Sequence, residues 1–165
     1  MNKNSYAIIM AGGVGSRFWP LSKQKLPKQF LDILGVGETL IQQTFRRLLL
    51  ICPKENIFVV TNEDYFSLCK SQIPELNDNQ ILCEPVMRNT APCIAYAAFK
   101  IHALNDQANL IVAPSDHLIT NDIEYVRIVN EIFETIHEKD YLVTLGIQAS
   151  RPDTGYGYIQ YDDSL

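Results

Sequence analysis

Along the chain, short runs of consecutive apolar residues alternate with longer stretches in which apolar residues return every three or four positions. The runs are YAIIM (6–10), IFVVT (57–61), QILCE (80–84), NLIVA (109–113) and YLVTLGI (141–147). They are short and rich in β-branched residues, which suits strands buried on both faces. Between them lie ETLIQQTFRRLLLIC (38–52), EDYFSLCKSQI (63–73), APCIAYAAFKIHAL (91–104) and DIEYVRIVNEIFETIHEK (122–139), each with a helical period. Strand alternating with helix predicts parallel strands joined by right-handed crossovers: a Rossmann-like, open, mostly parallel α/β sheet with helices on both faces. Ligands of such sheets bind beyond the carboxyl ends of the strands. The final stretch RPDTGYGYIQYDDSL (151–165) is turn-rich and then alternating, like a strand entering a further layer as the sequence stops, so the sheet is expected to be incomplete at its carboxyl end.

The 165 residues, 47% apolar and 20% charged, fit a single globular unit over 1–165 with a core and no disordered tract. Charge changes the picture more. The net charge is −5, yet residues 1–31 carry five bases (Lys3, Arg17, Lys23, Lys25, Lys28) and no acid, leaving the remainder at −10. A localised basic loop in an acidic protein suits a compact anion such as a polyphosphate, whereas nucleic acid calls for a broad basic face. No nucleic-acid partner is expected. Cys52, Cys69, Cys83 and Cys93 form no CxxC pair and have no histidine at zinc-finger spacing, so buried free thiols in a reducing compartment are expected. The apolar stretch 6–11 is too short for a signal-peptide core and no segment reaches membrane-spanning length. A cytoplasmic protein without a membrane partner is the expectation.

The basic loop is AGGVGSRFWPLSKQKLPKQF (11–30). Ala11, Gly12, Gly13 and Gly15 follow the first strand directly, where glycine lets backbone amides approach a phosphate closely and take unusual dihedrals. A P-loop would need lysine followed by Ser or Thr, which is absent, and a dinucleotide fingerprint would need a small residue where Phe18 stands. What remains is a loop of amides followed by Arg17 and Lys28, with Pro20 and Pro27 stiffening the path. An arginine fork and a mobile ammonium together offset much of a triphosphate's charge.

This twenty-residue stretch resembles the signature of the nucleoside-diphosphate-sugar pyrophosphorylases, and FWPLS and PKQF are similar to the mannose-1-phosphate guanylyltransferase branch. The resemblance implies that Arg17 and the glycine amides surround the departing pyrophosphate and that Lys28 bridges toward the attacked phosphate. Three further segments bear on it. EPVMRNTAP (84–92) offers Asn89 or Thr90 as a helix N-cap, with Pro92 tolerated in the first turn. Alternatively, Glu84 accepts from the guanine edge while Arg88, Asn89 and Thr90 serve the nucleotide. Its likeness to the branch's own EPxxRNTAP implies the second role. VAPSDHLI (112–119) puts Asp116 just past the fourth strand, and the resemblance assigns that position to Mg²⁺ bound with the triphosphate. His117 reads as a structural histidine, and three histidines without HExxH give no zinc site. In RPDTGYGYI (151–159), a turn entering a strand is one account; the resemblance makes Thr154, Gly155 and Tyr156 part of a sugar pocket.

The implied reaction is GTP plus mannose 1-phosphate giving GDP-mannose and pyrophosphate. A sugar phosphate that is largely dianionic near neutral pH attacks the α-phosphorus without a general base, so the lack of a Ser-His-Asp or Cys-His set is expected. Arg17, Lys28 and Asp116 are the expected catalytic groups. Relatives carry a second acidic metal ligand and an EKP-like segment beyond the matched part. Neither occurs before Leu165, so an amino-terminal fragment, inactive alone, is expected. A homo-oligomer of the full-length protein is left open. Competing expectations are a pyrophosphorylase using UTP or dTTP, a non-catalytic nucleotide-sugar sensor, and, opposed by Phe18, a NAD-dependent dehydrogenase.

Overall fold

The computed structural model describes residues 2–13, 18–137 and 141–162. Gly15 and Arg17, two members of the expected phosphate loop, lie outside the described residues. The elements run β1 (Ser5–Met10), α1 (Leu40–Leu48), β2 (Ile57–Thr61), α2 (Phe66–Gln72), β3 (Ile81–Cys83), α3 (Thr90–His102), β4 (Asn109–Pro114) and α4 (Asp122–Ile136), with short 3₁₀ turns between them. Among the described residues the strands form one parallel sheet in the order β3-β2-β1-β4.

Alternation along each strand decides which face a side chain serves. Ala7 and Ile9 of β1, with Ile57 and Val59 of β2, face Ile41, Phe45 and Leu48 of α1, Cys69 of α2 and Val129 and Phe133 of α4. Tyr6 and Ile8, with Phe58 and Val60, face Cys93, Ala97 and Ile101 of α3 on the other side. Ile8, Ile9, Val59 and Val60 are fully buried, each side chain contributing about 1.5–3 kcal/mol relative to exposure. Helices therefore cover both faces, three on one and α3 on the other. Because α1 leaves β1 on one face and α3 enters β4 on the opposite face, the connections diverge between β1 and β4. In open α/β sheets such a switch point defines the ligand crevice, beyond the carboxyl ends of the strands.

Local sequence fixes the helix ends. Thr39 and Gln42 form a capping box at α1, and the Thr39 hydroxyl also donates to Gln72 Oε1 at 2.7 Å. At the other end Arg47, almost fully buried, donates from Nε to Asp122 at 2.7 Å, while Arg46 holds the second oxygen at 3.1 Å, tying α1 to the start of α4.

Four of the five expected strands are present. Residues 141–147 form no strand: Leu142 is fully exposed and Ile147 is 83% exposed. A strand's backbone groups are satisfied only by pairing, and among the described residues β4 pairs with β1 alone. The outer edge of β4 is left open, and residues 141–147 do not pair with it; apolar content alone does not make a strand. The expected alternating strand after the 151–157 turn is likewise absent among the described residues.

Candidate active site

The crevice is floored by the first residues after each strand. Ala11 is buried and donates its N–H to Val60 at 2.8 Å. Its carbonyl accepts from Gln29 Nε2 at 3.0 Å and from the Thr61 hydroxyl at 3.2 Å, and the same Gln29 nitrogen donates to the Gly13 carbonyl at 2.9 Å. Gly12 faces the loop after β3: a Cβ there would stand 3.6 Å from a Glu84 carboxylate oxygen and 3.9 Å from Met87 Sδ. The expectation of unusual dihedrals needs correcting at both described glycines. Neither Gly12 nor Gly13 has a positive φ, which occurs instead at Gly35 and Gly37. At Gly12 the small residue preserves room against Glu84, and at Gly13 the space is open.

Lys28 enters from a 3₁₀ turn, Lys28–Phe30, that Pro27 introduces with extended dihedrals. Phe30 is buried and its ring lies 5.8 Å from that of Tyr65, anchoring the turn in the core. Tyr65 also donates its hydroxyl to the Gln24 carbonyl at 2.8 Å, pinning the basic loop to the start of α2. So held, Lys28 Nζ reaches Asp116 Oδ2 at 2.6 Å and stands 5.2 Å from the Phe18 ring centroid. Asp116 follows buried Ser115, whose N–H donates to the Met10 carbonyl at 3.1 Å, so the β4 loop is bound directly to β1. The expected lysine and the expected metal ligand, distant in sequence, meet across the switch point.

Glu84 donates its backbone N–H to Thr61 at 2.8 Å, continuing the ladder past β3. Burial, reinforced by the charge of Glu84 and a hydrogen bond to it, pushes the Cys93 thiol up to about 11. Glu84 thus lies between Gly12 and the first turn of α3. Asn89 is the N-cap of α3, as expected by position, but its side chain makes no cap bond. Its φ of 68° with ψ of −168° is a region favoured by glycine. Arg88, Asn89 and Thr90 are all exposed at that helix start. Thr154, Gly155 and Tyr156 sit in an exposed turn closed on itself, with Gly155 N–H donating to Asp153 at 2.9 Å. The hydrogen bonds and ion pair among Arg151, Asp153, Gly155 and Tyr158 stay within that turn.

All four cysteines are unpaired; Cys52 and Cys69 are buried as expected and pushed by burial to about 12, whereas Cys83 is only half-buried and is pushed to about 11 by desolvation and the neighbouring Glu63. Sequence reasoning passed over Gln29 and Thr61. The only signals were a polar residue between Lys28 and Phe30 in PKQF and a threonine closing the apolar run IFVVT. No described helix is long and apolar enough to cross a membrane.

The nucleotidyl transferase family model matches residues 6–165. The chain is 41% identical over 155 residues to a mannose-1-phosphate guanylyltransferase of Klebsiella pneumoniae and 40% identical over 161 residues to the alginate biosynthesis protein AlgA of Pseudomonas aeruginosa. Each match covers 93% of this chain and 32% of the relative, so the chain spans about a third of the length of the curated relatives it matches. Among solved structures, a mannose-1-phosphate geranyltransferase from Thermus thermophilus aligns at 32% identity and TM-score 0.71 over 82% of this chain and 39% of its own. A mannose-6-phosphate isomerase from Helicobacter pylori aligns at 28% identity and TM-score 0.69 over 92% and 53%. With a family model matched over nearly its whole length, the chain belongs to the nucleotidyl transferase family.

Proposed function

We propose that this chain forms the nucleotide-binding part of a mannose-1-phosphate guanylyltransferase, which transfers GMP from GTP to mannose 1-phosphate and releases pyrophosphate. The observation that carries the reading is the meeting of Lys28 and Asp116 at 2.6 Å between β1 and β4, at the mouth where such sheets bind ligands. It is supported by identities of about 40% to curated guanylyltransferases. A phosphate oxygen of the sugar phosphate attacks the α-phosphorus, and the bond from that phosphorus to the bridging oxygen breaks. The electron pair leaves with pyrophosphate. The chain's work is positioning and charge compensation. In this reading the Gly12, Gly13 and Gly15 amides and Arg17 take the β and γ oxygens, and Lys28 spans toward the α-phosphate. Ala11, Glu84, Arg88, Asn89 and Thr90 line the nucleoside side, and Thr154, Gly155 and Tyr156 serve the sugar.

Among the described residues no three metal-ligating groups gather. Asp116 therefore contributes one hard oxygen, which fits Mg²⁺ taking its other ligands from phosphate and water. When bound, that ion would offset phosphate charge. The reading carries with it a cytoplasmic setting, in keeping with four free thiols. Pyrophosphate release by the full-length protein from GTP and mannose 1-phosphate tests it. Lys28→Ala and Asp116→Asn should each lower kcat by at least about a hundredfold, and UTP or dTTP should be poor substrates. Equal turnover with all three nucleotides, or full activity in both variants, would refute it.

A further inference from the structure

The Ala11 carbonyl is held by two buried side chains from different parts of the chain. Gln29, 2% exposed, donates at 3.0 Å and Thr61, fully buried, at 3.2 Å. Both acceptor positions of that oxygen are therefore filled. Gln29 spends its remaining N–H on the Gly13 carbonyl at 2.9 Å. Two facing carbonyls require its NH₂ group, so the orientation of the amide follows from chemistry. The only cis peptide among the described residues is Trp19–Pro20, so the Ala11–Gly12 peptide is trans, with N–H and C=O pointing in opposite directions. Drawing the Ala11 oxygen toward the core must turn the Gly12 N–H outward. Gly12 is only half buried and looks toward Glu84, across the crevice.

Neither hydrogen bond is needed to complete a strand or helix. Ala11 pairs its N–H with Val60, and its buried carbonyl, at the end of the strand, is satisfied by these two side chains. Their effect falls on one peptide plane. We propose that Gln29 and Thr61 are positioning residues that fix the first amide of the glycine loop in the direction needed to receive a phosphate oxygen. They act on the ligand only through the Gly12 peptide. The proposal rests on the nucleotide reading above and deepens it, since it assigns the direction of the loop amides to two side chains from other segments.

The test uses the full-length protein and titration calorimetry with GTP and, separately, guanosine, which lacks phosphate. Thr61→Val keeps the shape of the side chain and removes the donor; Thr61→Ser keeps the donor. Gln29→Met removes both of its hydrogen bonds at similar length. Loss of one oriented amide donor to a charged phosphate should weaken GTP on the order of tenfold in Thr61→Val and Gln29→Met, with guanosine affinity changed less than about twofold. Thr61→Ser should bind GTP like the parent. Equal losses for GTP and guanosine, or no loss of GTP in folded Thr61→Val, would overturn the positioning role while leaving the nucleotide reading intact. If Gln29→Met does not fold, the Thr61 pair decides alone. A parent protein that binds no GTP would overturn both.

Discussion

Lys28→Met removes a positive charge and keeps the aliphatic shaft, which isolates the ion pair at the centre of the crevice. The ammonium lies 2.6 Å from Asp116, and both side chains are about a quarter exposed. Exposed pairs contribute about 0–1 kcal/mol, whereas breaking a buried pair costs about 3–5 kcal/mol. Partial exposure puts this one at about 1–2 kcal/mol, and the ring contact with Phe18 favours the same lysine position. If Asp116 is a metal ligand, a divalent ion arriving without nucleotide must first displace that ammonium. The pair then weakens nucleotide-free metal binding by the same free energy, a factor of about 5–30. Manganese titrated into the nucleotide-free full-length protein and followed by electron paramagnetic resonance should bind Lys28→Met about 5–30 times more tightly than the parent. GTP, which loses a cationic contact, should bind the variant less tightly. Manganese affinity unchanged or reduced in the variant would refute the displacement argument.

Two further outcomes are expected. Burial alone would raise the Asp122 carboxyl, but hydrogen bonds and charges from Arg47 and Arg46 outweigh it and hold the group below its ordinary 3.8. Its stabilisation is therefore complete above the unfolded-state value and lost as pH falls through the lower folded one. Asp122→Asn, which leaves the buried Arg47 guanidinium without its partner, should cost about 3 kcal/mol by urea denaturation at pH 7. The gap to the parent should narrow below about pH 4; a gap independent of pH would contradict the assignment. With thiols at about 11 to 12, iodoacetamide at pH 8 should label the native protein about a hundredfold more slowly than a free thiol. Rapid native labelling of Cys93 would contradict its burial in the first turn of α3.

The parts of the fold legible in the sequence are those set by period. The run IFVVT is β2 to the residue, and the helical stretches at 91–104 and 122–139 coincide with α3 and α4 apart from ends moved by up to three positions. Periodicity failed where the outcome depended on a neighbour. YLVTLGI has the composition of a strand, yet it does not pair with the open edge of β4 among the described residues. In the crevice, Lys28 and Asp116 could be singled out because their chemistry is exposed in short motifs. That they touch could not, since no spacing rule brings a turn after β1 to the loop after β4. Gln29, Thr61 and Arg47 were less legible still. A buried polar side chain is explained only by its partners, and each of these finds them in another segment.

What occupies the space between Gly12, Lys28 and Asp116 decides the chemistry of the site. A crystal structure of the full-length protein with GTP and Mg²⁺ measures that directly. The predicted result is a triphosphate against the Gly12 amide, with Lys28 moved from Asp116 onto phosphate oxygens and Asp116 on the metal. A nucleotide bound elsewhere, or one in the crevice with the 2.6 Å Lys28–Asp116 pair undisturbed, would contradict it.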